Sequence, residues 1–551
     1  MSECRHFEVA IIGAGPGGIA AAHLLRRRGI TDLVILERGD DFGGTWRDNH
    51  YPGLAVDIPI FWYELSFARN PHWTRLFAPG SEIQRYLTDT ASRCGLYPHL
   101  RTGAEVVQQV WDDDAGIWRL AIRGQGGQSG QSGQSEVTAR FVISSVGGYV
   151  NARSCSDIEG LSDFGGTILR PDAWDDAFDT TGKKVAVIGT GSSGTQIVSA
   201  LSGGVARLEV YQRTPNWILP KPDLRISPRL RTLLGLPGVT AAIHHAGRLA
   251  FDLFLLIPVV HLMSHLPDRV LVAGLRGYDA LARLWFRALL RAVVDDRSTR
   301  RRLLPRHGIL GKRPIISSSY LPAFNEATTA LVTTPIERIT PNGIRTVDGV
   351  EHDADLIVTA NGYELWTDPE TYRTRTILGT RGFDLAEDYR RHGLRSYAGT
   401  AHPRLPNRWE IVGPLGFVGV GWTDFVEMMA EHAARVIDEA RRCGPDVVAS
   451  VRPGAFEAYH ARMRSAGKTA HLYFTRCNEG VNTYFVNSQG DTVYHRPQTI
   501  LGARRLARRS PDRYYLLSPH RTHATAATGP ATGPATTQPT EPAATPATRS
   551  R

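Results

Sequence analysis

Two glycine-rich turns constrain this chain of 551 residues more than any other feature: GAGPGG at Gly13–Gly18 and GTGSSG at Gly189–Gly194. Each follows an apolar run of strand length, FEVAII at 7–12 and KVAVIG at 184–189, and each opens a helical pattern. A bound pyrophosphate dictates such spacing. The first glycine permits a tight turn, the second lets backbone approach the phosphates, and the third lets helix and strand pack closely. The helix N-terminus then meets the anion with its dipole and free N–H groups. The expected fold class is therefore α/β, with two Rossmann-like dinucleotide-binding domains. Two such domains in one polypeptide imply that one redox cofactor passes electrons to another.

The residues ending each second strand separate the two sites. In the first unit, Gly13, Gly15 and Gly18 are followed by IAAAHLLRRRG and by the strand LVILER (33–38). Glu37 then falls about 20 residues beyond the glycines, where a carboxylate accepts hydrogen bonds from ribose hydroxyls. It disfavours a 2′-phosphate, so FAD or NAD suits this site. In the second unit, Gly189, Thr190, Gly191, Ser192, Ser193 and Gly194 form the turn, and LEVYQR (208–213) ends in Arg213-Thr214. A guanidinium and a hydroxyl suit a 2′-phosphate through charge-assisted hydrogen bonds, which selects NADPH.

The chain is too long for one compact core. The strand and helix patterns divide it into a first dinucleotide domain over 1–150, resumed over 356–521, and a second over 151–223, resumed over 304–355. Residues 224–303 change character to helical periodicity rich in Leu and Arg, and are expected to be a helical insertion in the second domain. Strand material returns at Leu331–Ile339, and DLIVTANGY (355–363) reads as the strand that re-enters the first domain. GQGGQSGQSGQSE (124–136) is expected to be a flexible hairpin loop. The Ala/Thr/Pro-rich tail over 522–551 is expected to be disordered.

Composition narrows the partners. The net charge of +10 comes largely from Arg, with clusters at Arg300–Arg302 and Arg504–Arg509, but no nucleic-acid-reading motif accompanies it. An Arg-rich solvated surface, with no nucleic-acid partner, is the expectation. The five cysteines form no Cys-x-x-Cys pair, so no metal site is expected, and few scattered thiols fit a cytoplasmic location. The first apolar run leads directly into a fingerprint rather than a signal peptide. The segment Leu249–Leu266 is broken by Asp252, Pro258 and His261, which leaves an apolar run shorter than the roughly 20 residues of a span. A buried or lid helix is expected there, with peripheral membrane contact left open.

A third group of motifs carries a resemblance. Gly43-Gly44-Thr45-Trp46 is followed by Tyr51-Pro52-Gly53 and Asp57, and YQRTPNW (211–217) follows the second fingerprint. Between the fingerprints lies FGGTILRPDAWDD, with Phe164, Gly166, Arg170, Trp174 and Asp175. This set, in motif order from about residue 7 to 505, resembles the type I Baeyer–Villiger monooxygenases of the flavin-containing monooxygenase superfamily. Their linker signature is Phe-x-Gly-x-x-x-His-x-x-x-Trp-Pro/Asp. Trp174-Asp175 favours this group over related N- and S-oxidising enzymes, which usually carry Tyr or Phe in place of the Trp.

The resemblance implies FAD contacts at Gly44, Thr45, Trp46, Asp57 and Tyr63, and Lys312 as a second phosphate-reading cation for NADPH. It implies a catalytic Arg313 oriented by Asp57. Such a guanidinium would stabilise the anion of a C4a-peroxyflavin and then the oxyanion formed on a ketone. The expected reaction consumes NADPH and O2 and gives an ester or lactone. The apolar stretch GPLGFVGVGWTDF (413–425) suggests a lipophilic, cyclic ketone, and the segment 477–497 is expected to close over the site. The alternative is hydroxylation of N, S or carbon in specialised metabolism.

Two departures stand out. Arg170 replaces the linker His, and Asn361 replaces the usual Thr in Thr359-Ala360-Asn361-Gly362-Tyr363. Arg stays charged where His exchanges a proton near neutrality. Arg170 is therefore either a clamp for the linker or the mark of altered oxygenation.

Overall fold

The computed structural model describes residues 5–124, 134–149, 151–153, 155 and 158–520. The first sheet runs in the order 377–378, 104–112, 117–124, 134–144, 5–12, 33–36 and 100–101, with 408–410 added against 134–144. Its core is parallel: Arg5–Ile12 pairs in parallel with both Leu33–Leu36 and Gln134–Ser144. Arg5–Ile12 is apolar on both faces over its second half because helices cover the sheet. Chief among them are Pro16–Arg26 and Trp422–Cys443, which pack on each other.

The second sheet is wholly parallel, in the order 329–332, 207–211, 184–188, 356–359 and 167–169. The order moves one boundary expected from sequence. Leu356–Thr359 pairs with Lys184–Ile188 in the second sheet, so the return to the first domain falls beyond Thr359 rather than at 356. Its four apolar residues read as a buried strand in either sheet, and only the pairing decides which. Likewise 331–339 divides between the second sheet and a separate hairpin layer built from 336–340, 343–346 and 351–353. Of the low-complexity stretch 124–136, the ends belong to flanking strands and the interior lies outside the described residues, as does the tail from 521.

Residues 224–303 form helices Pro228–Leu234, Val239–Phe251, Asp268–Val293 and Arg297–Arg302. Between the second and third, π-type turns over Asp252–Leu256 and Pro258–Leu262 loosen the helix where Pro258 lacks an N–H. The burial expected for Leu249–Leu266 does not hold. Leu249, Leu253, Phe254, Leu255, Leu262 and Leu266 are all exposed. The helix is oriented by its polar residues, which bond inward to the first domain.

Candidate active site

The two glycine turns line one continuous cavity of about 1730 Å³. Their geometry is the same at both. Gly13 has φ +99°, and a Cβ there would lie 2.4 Å from the Ser145 carbonyl oxygen. Gly189 has φ +112°, and its Cβ would lie 2.3 Å from the Ala360 carbonyl oxygen. Gly18 and Gly194 pack behind the turns on Gly13 and Gly189 and do not line the cavity. The middle glycines do: nothing lies within 4 Å of a Cβ built on Gly191, and the nearest atom to one on Gly15 is 3.7 Å away. Both following helices begin without a side-chain cap, which leaves their first N–H groups for an anion. Two pyrophosphates fit these cradles.

Glu37 lines the cavity just beyond its strand and is buried. Its Oε2 accepts from the Ala14 N–H at 2.8 Å, and its Oε1 accepts from the Gly39 N–H at 2.8 Å and from Arg47 Nη2 at 3.1 Å. Arg47, not anticipated from sequence, therefore holds the Glu37 carboxylate in place.

On the far side, Arg213, Thr214 and Lys312 line the same cavity with Thr190, Ser192 and Ser193. Burial, and next the Arg213 charge, pull the Lys312 amine below its usual pKa. Neither cation makes an ion pair among the described residues. Two neighbouring cations without a carboxylate partner suit a phosphate dianion. Asn216, from the same YQRTPNW stretch, donates to the Thr190 carbonyl at 2.6 Å and supports the turn.

The centre of the cavity holds the groups the motifs pointed to. Gly44, with φ +57°, starts the short helix Thr45–Asp48, and Trp46 Nε1 donates to the Tyr63 hydroxyl at 2.9 Å. Burial pushes the Tyr63 phenol far up, so it stays protonated and able to donate. Arg313 Nη2 donates to Asp57 Oδ2 at 2.6 Å. The Asp57 charge raises the Arg313 guanidinium well above its already high value. The Arg313 side chain remains 38% exposed, toward the cavity.

The wall around that guanidinium draws Trp422 and Tyr484 from the two segments expected to border the site, whereas Tyr149 and Trp366 were not anticipated from sequence. Tyr149, Trp366 and Trp422 are in mutual ring contact at 5.9–6.1 Å, and Tyr149 bonds to Tyr494 through their hydroxyls at 3.1 Å. Tyr484, in the segment expected to close the site, lines the same wall. Gly148, next to Tyr149, leaves room for the Trp366 ring, since a Cβ there would lie 1.9 Å from it. His495 lies behind, its imidazole pulled down to about 4 by burial and then by Arg313, and it stays neutral.

Tyr51-Pro52-Gly53 has a part that the sequence did not show. The Tyr51 hydroxyl donates to Gln196 Oε1 at 2.9 Å and lies 3.2 Å from Ser193 Oγ. Gln196 Nε2 returns a bond to the Ala55 carbonyl at 2.9 Å. The motif ties the first domain to the helix after the second glycine turn.

Of the five linker residues, only Arg170 reaches the cavity. Phe164 and Trp174 are buried in the second domain, and a Cβ on Gly166 would lie 2.6 Å from the Asp355 carbonyl oxygen. Asp175 Oδ1 accepts from the Ala177 N–H at 2.9 Å. Arg170 is held by Asp172, and Asn361, the other departure, accepts from the Cys155 thiol at 3.1 Å.

Comparison with known proteins agrees with this arrangement. A family model for an NAD(P)-binding Rossmann-like domain matches residues 11–79. A Baeyer–Villiger monooxygenase of Streptomyces coelicolor is 32% identical over 520 residues, covering 92% of this chain and 91% of that protein. The polycyclic ketone monooxygenase of the fungus Thermothelomyces thermophila has the same fold, with a TM-score of 0.82 at 20% identity, over 95% of this chain and 91% of that one. So does OTEMO, solved in complex with FAD and NADP, with a TM-score of 0.77 at 23% identity over 94% and 100% of the two chains. Fold and site together define a flavoprotein monooxygenase with two dinucleotide sites. Within that class, the chain belongs to the Baeyer–Villiger monooxygenases.

Proposed function

We propose that this enzyme, dependent on FAD and NADPH, inserts one atom of O2 beside the carbonyl of a lipophilic cyclic ketone, with Arg313 as the residue that stabilises developing negative charge. Ketone, O2, NADPH and a proton become ester or lactone, water and NADP⁺. The carrying observation is the Arg313–Asp57 pair, which lines the same aromatic-walled cavity as the two glycine turns.

Gly13, Gly15 and the helix from Pro16 would hold the FAD pyrophosphate, with Glu37 on its ribose. Gly189, Gly191 and the helix from Ser192 would hold that of NADPH, with Arg213, Thr214 and Lys312 on its 2′-phosphate. Bound FAD, once reduced, supplies the electrons that activate O2. Arg313 carries a permanent charge, and Asp57 fixes its direction. Donors aimed at a carbonyl oxygen that becomes anionic in the transition state strengthen as charge develops, and they do so most where water is excluded. Tyr149, Trp366, Trp422 and Tyr484 provide that exclusion, and their rings favour an apolar substrate over a charged metabolite. Trp46 and Tyr63 support the flavin side of the cavity.

The test is NADPH consumption and product analysis with the purified holoenzyme across cyclic and polycyclic ketones, amines and sulfides. Lactone formation from ketones is expected. Oxygenation of amines or sulfides alone would overturn the reading.

A further inference from the structure

The helix that begins at Val239 is amphipathic the wrong way round for a soluble protein. Its buried face is polar: His244, Arg248 and Asp252, spaced by four residues, all point into the first domain. His244 Nε2 lies 2.9 Å from Asp424 Oδ1, Arg248 Nε donates to the same oxygen at 2.6 Å, and the two oxygens of Asp252 accept from the Ile500 and Leu501 N–H groups at 2.7 and 3.0 Å. Its outer face is apolar. Phe254 is 82% exposed, Leu262 64% and Leu249 60%, with Leu253 and Leu255 beside them. Surface helices ordinarily bury the apolar stripe and expose the polar one.

The reversal cannot relax within the chain. Rolling the helix to hide Phe254 would pull Arg248 away from Asp424 and strand a buried charge. Nor can the helix cross a membrane as it stands. Val239–His265 is long and apolar enough by length and composition, but one face is bonded to the protein along its length. What remains is a surface that lies in an interface.

Charge says which interface. Residues 224–303 contain 13 Arg and 5 Asp, with no Lys or Glu, so this short insertion carries +8 of the chain's net +10. On the approach to the helix, exposed Arg225 and Arg229 alternate with exposed Leu224, Leu230 and Leu233. A second copy of so cationic an insertion would be repelled. An anionic bilayer satisfies both halves of the pattern, since apolar residues enter the acyl boundary while Arg remains at the headgroups.

We propose that the outer face of the helical insertion, centred on Leu249, Phe254 and Leu262, docks the enzyme on an anionic lipid surface. The inner face of the same helix packs one layer behind the cavity lining. Gly247 packs on Trp62, one residue from Tyr63, and Asp424 lies two residues from Trp422.

The test is flotation of purified holoenzyme with vesicles of phosphatidylcholine alone and of phosphatidylcholine mixed with phosphatidylglycerol. Binding to the mixed vesicles is expected, weakening as salt rises. The triple variant Leu249→Ser, Phe254→Ser, Leu262→Ser should bind with a partition coefficient lower by roughly tenfold or more. Its flavin content, thermal unfolding and oxidation of NADPH in free solution should be unchanged. Failure of the wild type to float, or equal flotation of the variant, overturns the proposal. So does a dimer in sedimentation that the variant dissolves, since the face then serves self-association. None of these readouts depends on which ketone is oxygenated.

Discussion

Arg170 is held by Asp172 through two hydrogen bonds, Nε to Oδ1 at 3.0 Å and Nη2 to Oδ2 at 2.7 Å. The pair occupies the linker position that is His in the Baeyer–Villiger signature, and it lines the cavity with Cys155 and Tyr363. The hydrogen bonds it donates to Asp172 raise the guanidinium further above its usual value, so this position does not titrate in the working range. In Arg170→His the pH profile of NADPH-dependent ketone turnover should acquire a step near the ordinary imidazole value of about 6.5, absent from the wild type. Superimposable profiles would show that the side chain at 170 does not act on the reaction. Because Arg170 is half exposed, a double-mutant cycle with Asp172→Ala should give a stability coupling of at most about 1 kcal/mol.

Arg313→Ala should leave reduction of the bound flavin by NADPH intact and lower ketone product formation by roughly 10² to 10³. Asp57→Asn keeps the guanidinium but removes the charge that orients it, and should fall between that variant and wild type. Stopped-flow reduction and product analysis separate the two steps. Normal product formation by Arg313→Ala would falsify the role given to it.

Lys312→Ala and Arg213→Ala should each raise KM for NADPH by about tenfold or more, the worth of a hydrogen bond to a charged group, and leave KM for NADH unchanged. A phosphate dianion raises the Lys312 pKa from its depressed value in the free protein. The Lys312 contribution is therefore complete below the free-protein pKa and is lost as pH rises through the bound one. KM for NADPH, but not for NADH, should climb toward alkaline pH, and the climb should be absent in Lys312→Ala.

Asp424→Ala leaves Arg248 buried without its counter-charge and should destabilise the protein by about 3–5 kcal/mol, read as a lower midpoint in urea. Burial pushes the Asp424 carboxyl up, but the His244 hydrogen bond and the Arg248 charge outweigh that and hold it below its usual value. A carboxyl lowered on folding contributes stability above its unfolded pKa of about 3.9 and loses it as pH falls through the folded one. The wild type should therefore lose stability steeply in acid, and Asp424→Asn should flatten that dependence.

Much of this was legible in the chain because its code is local. A strand, a glycine turn and a helix lie within one short stretch, so Gly13–Gly18 and Gly189–Gly194 specify their own geometry, and Glu37 and Arg213 follow at the next strand end. The Trp46, Asp57, Lys312 and Arg313 positions were readable only through family resemblance. Asp57 and Arg313 are 256 residues apart, and nothing near either names the other. The Tyr51–Gln196 tie, the Arg47 support of Glu37 and the placing of Tyr149 and Trp366 against Trp422 had no such guide.

Sequence alone pointed to two dinucleotide turns, to the one suited to a 2′-phosphate, and to a helical insertion, since each reading depends on neighbouring residues. Tertiary structure decided which sheet receives Leu356–Thr359 and which side of the insertion faces solvent. The periodicity of a helix marks an apolar stripe but not its direction. Here His244, Arg248 and Asp252 find partners at Asp424 and the Ile500–Leu501 backbone, and those long-range polar bonds turn Phe254 outward.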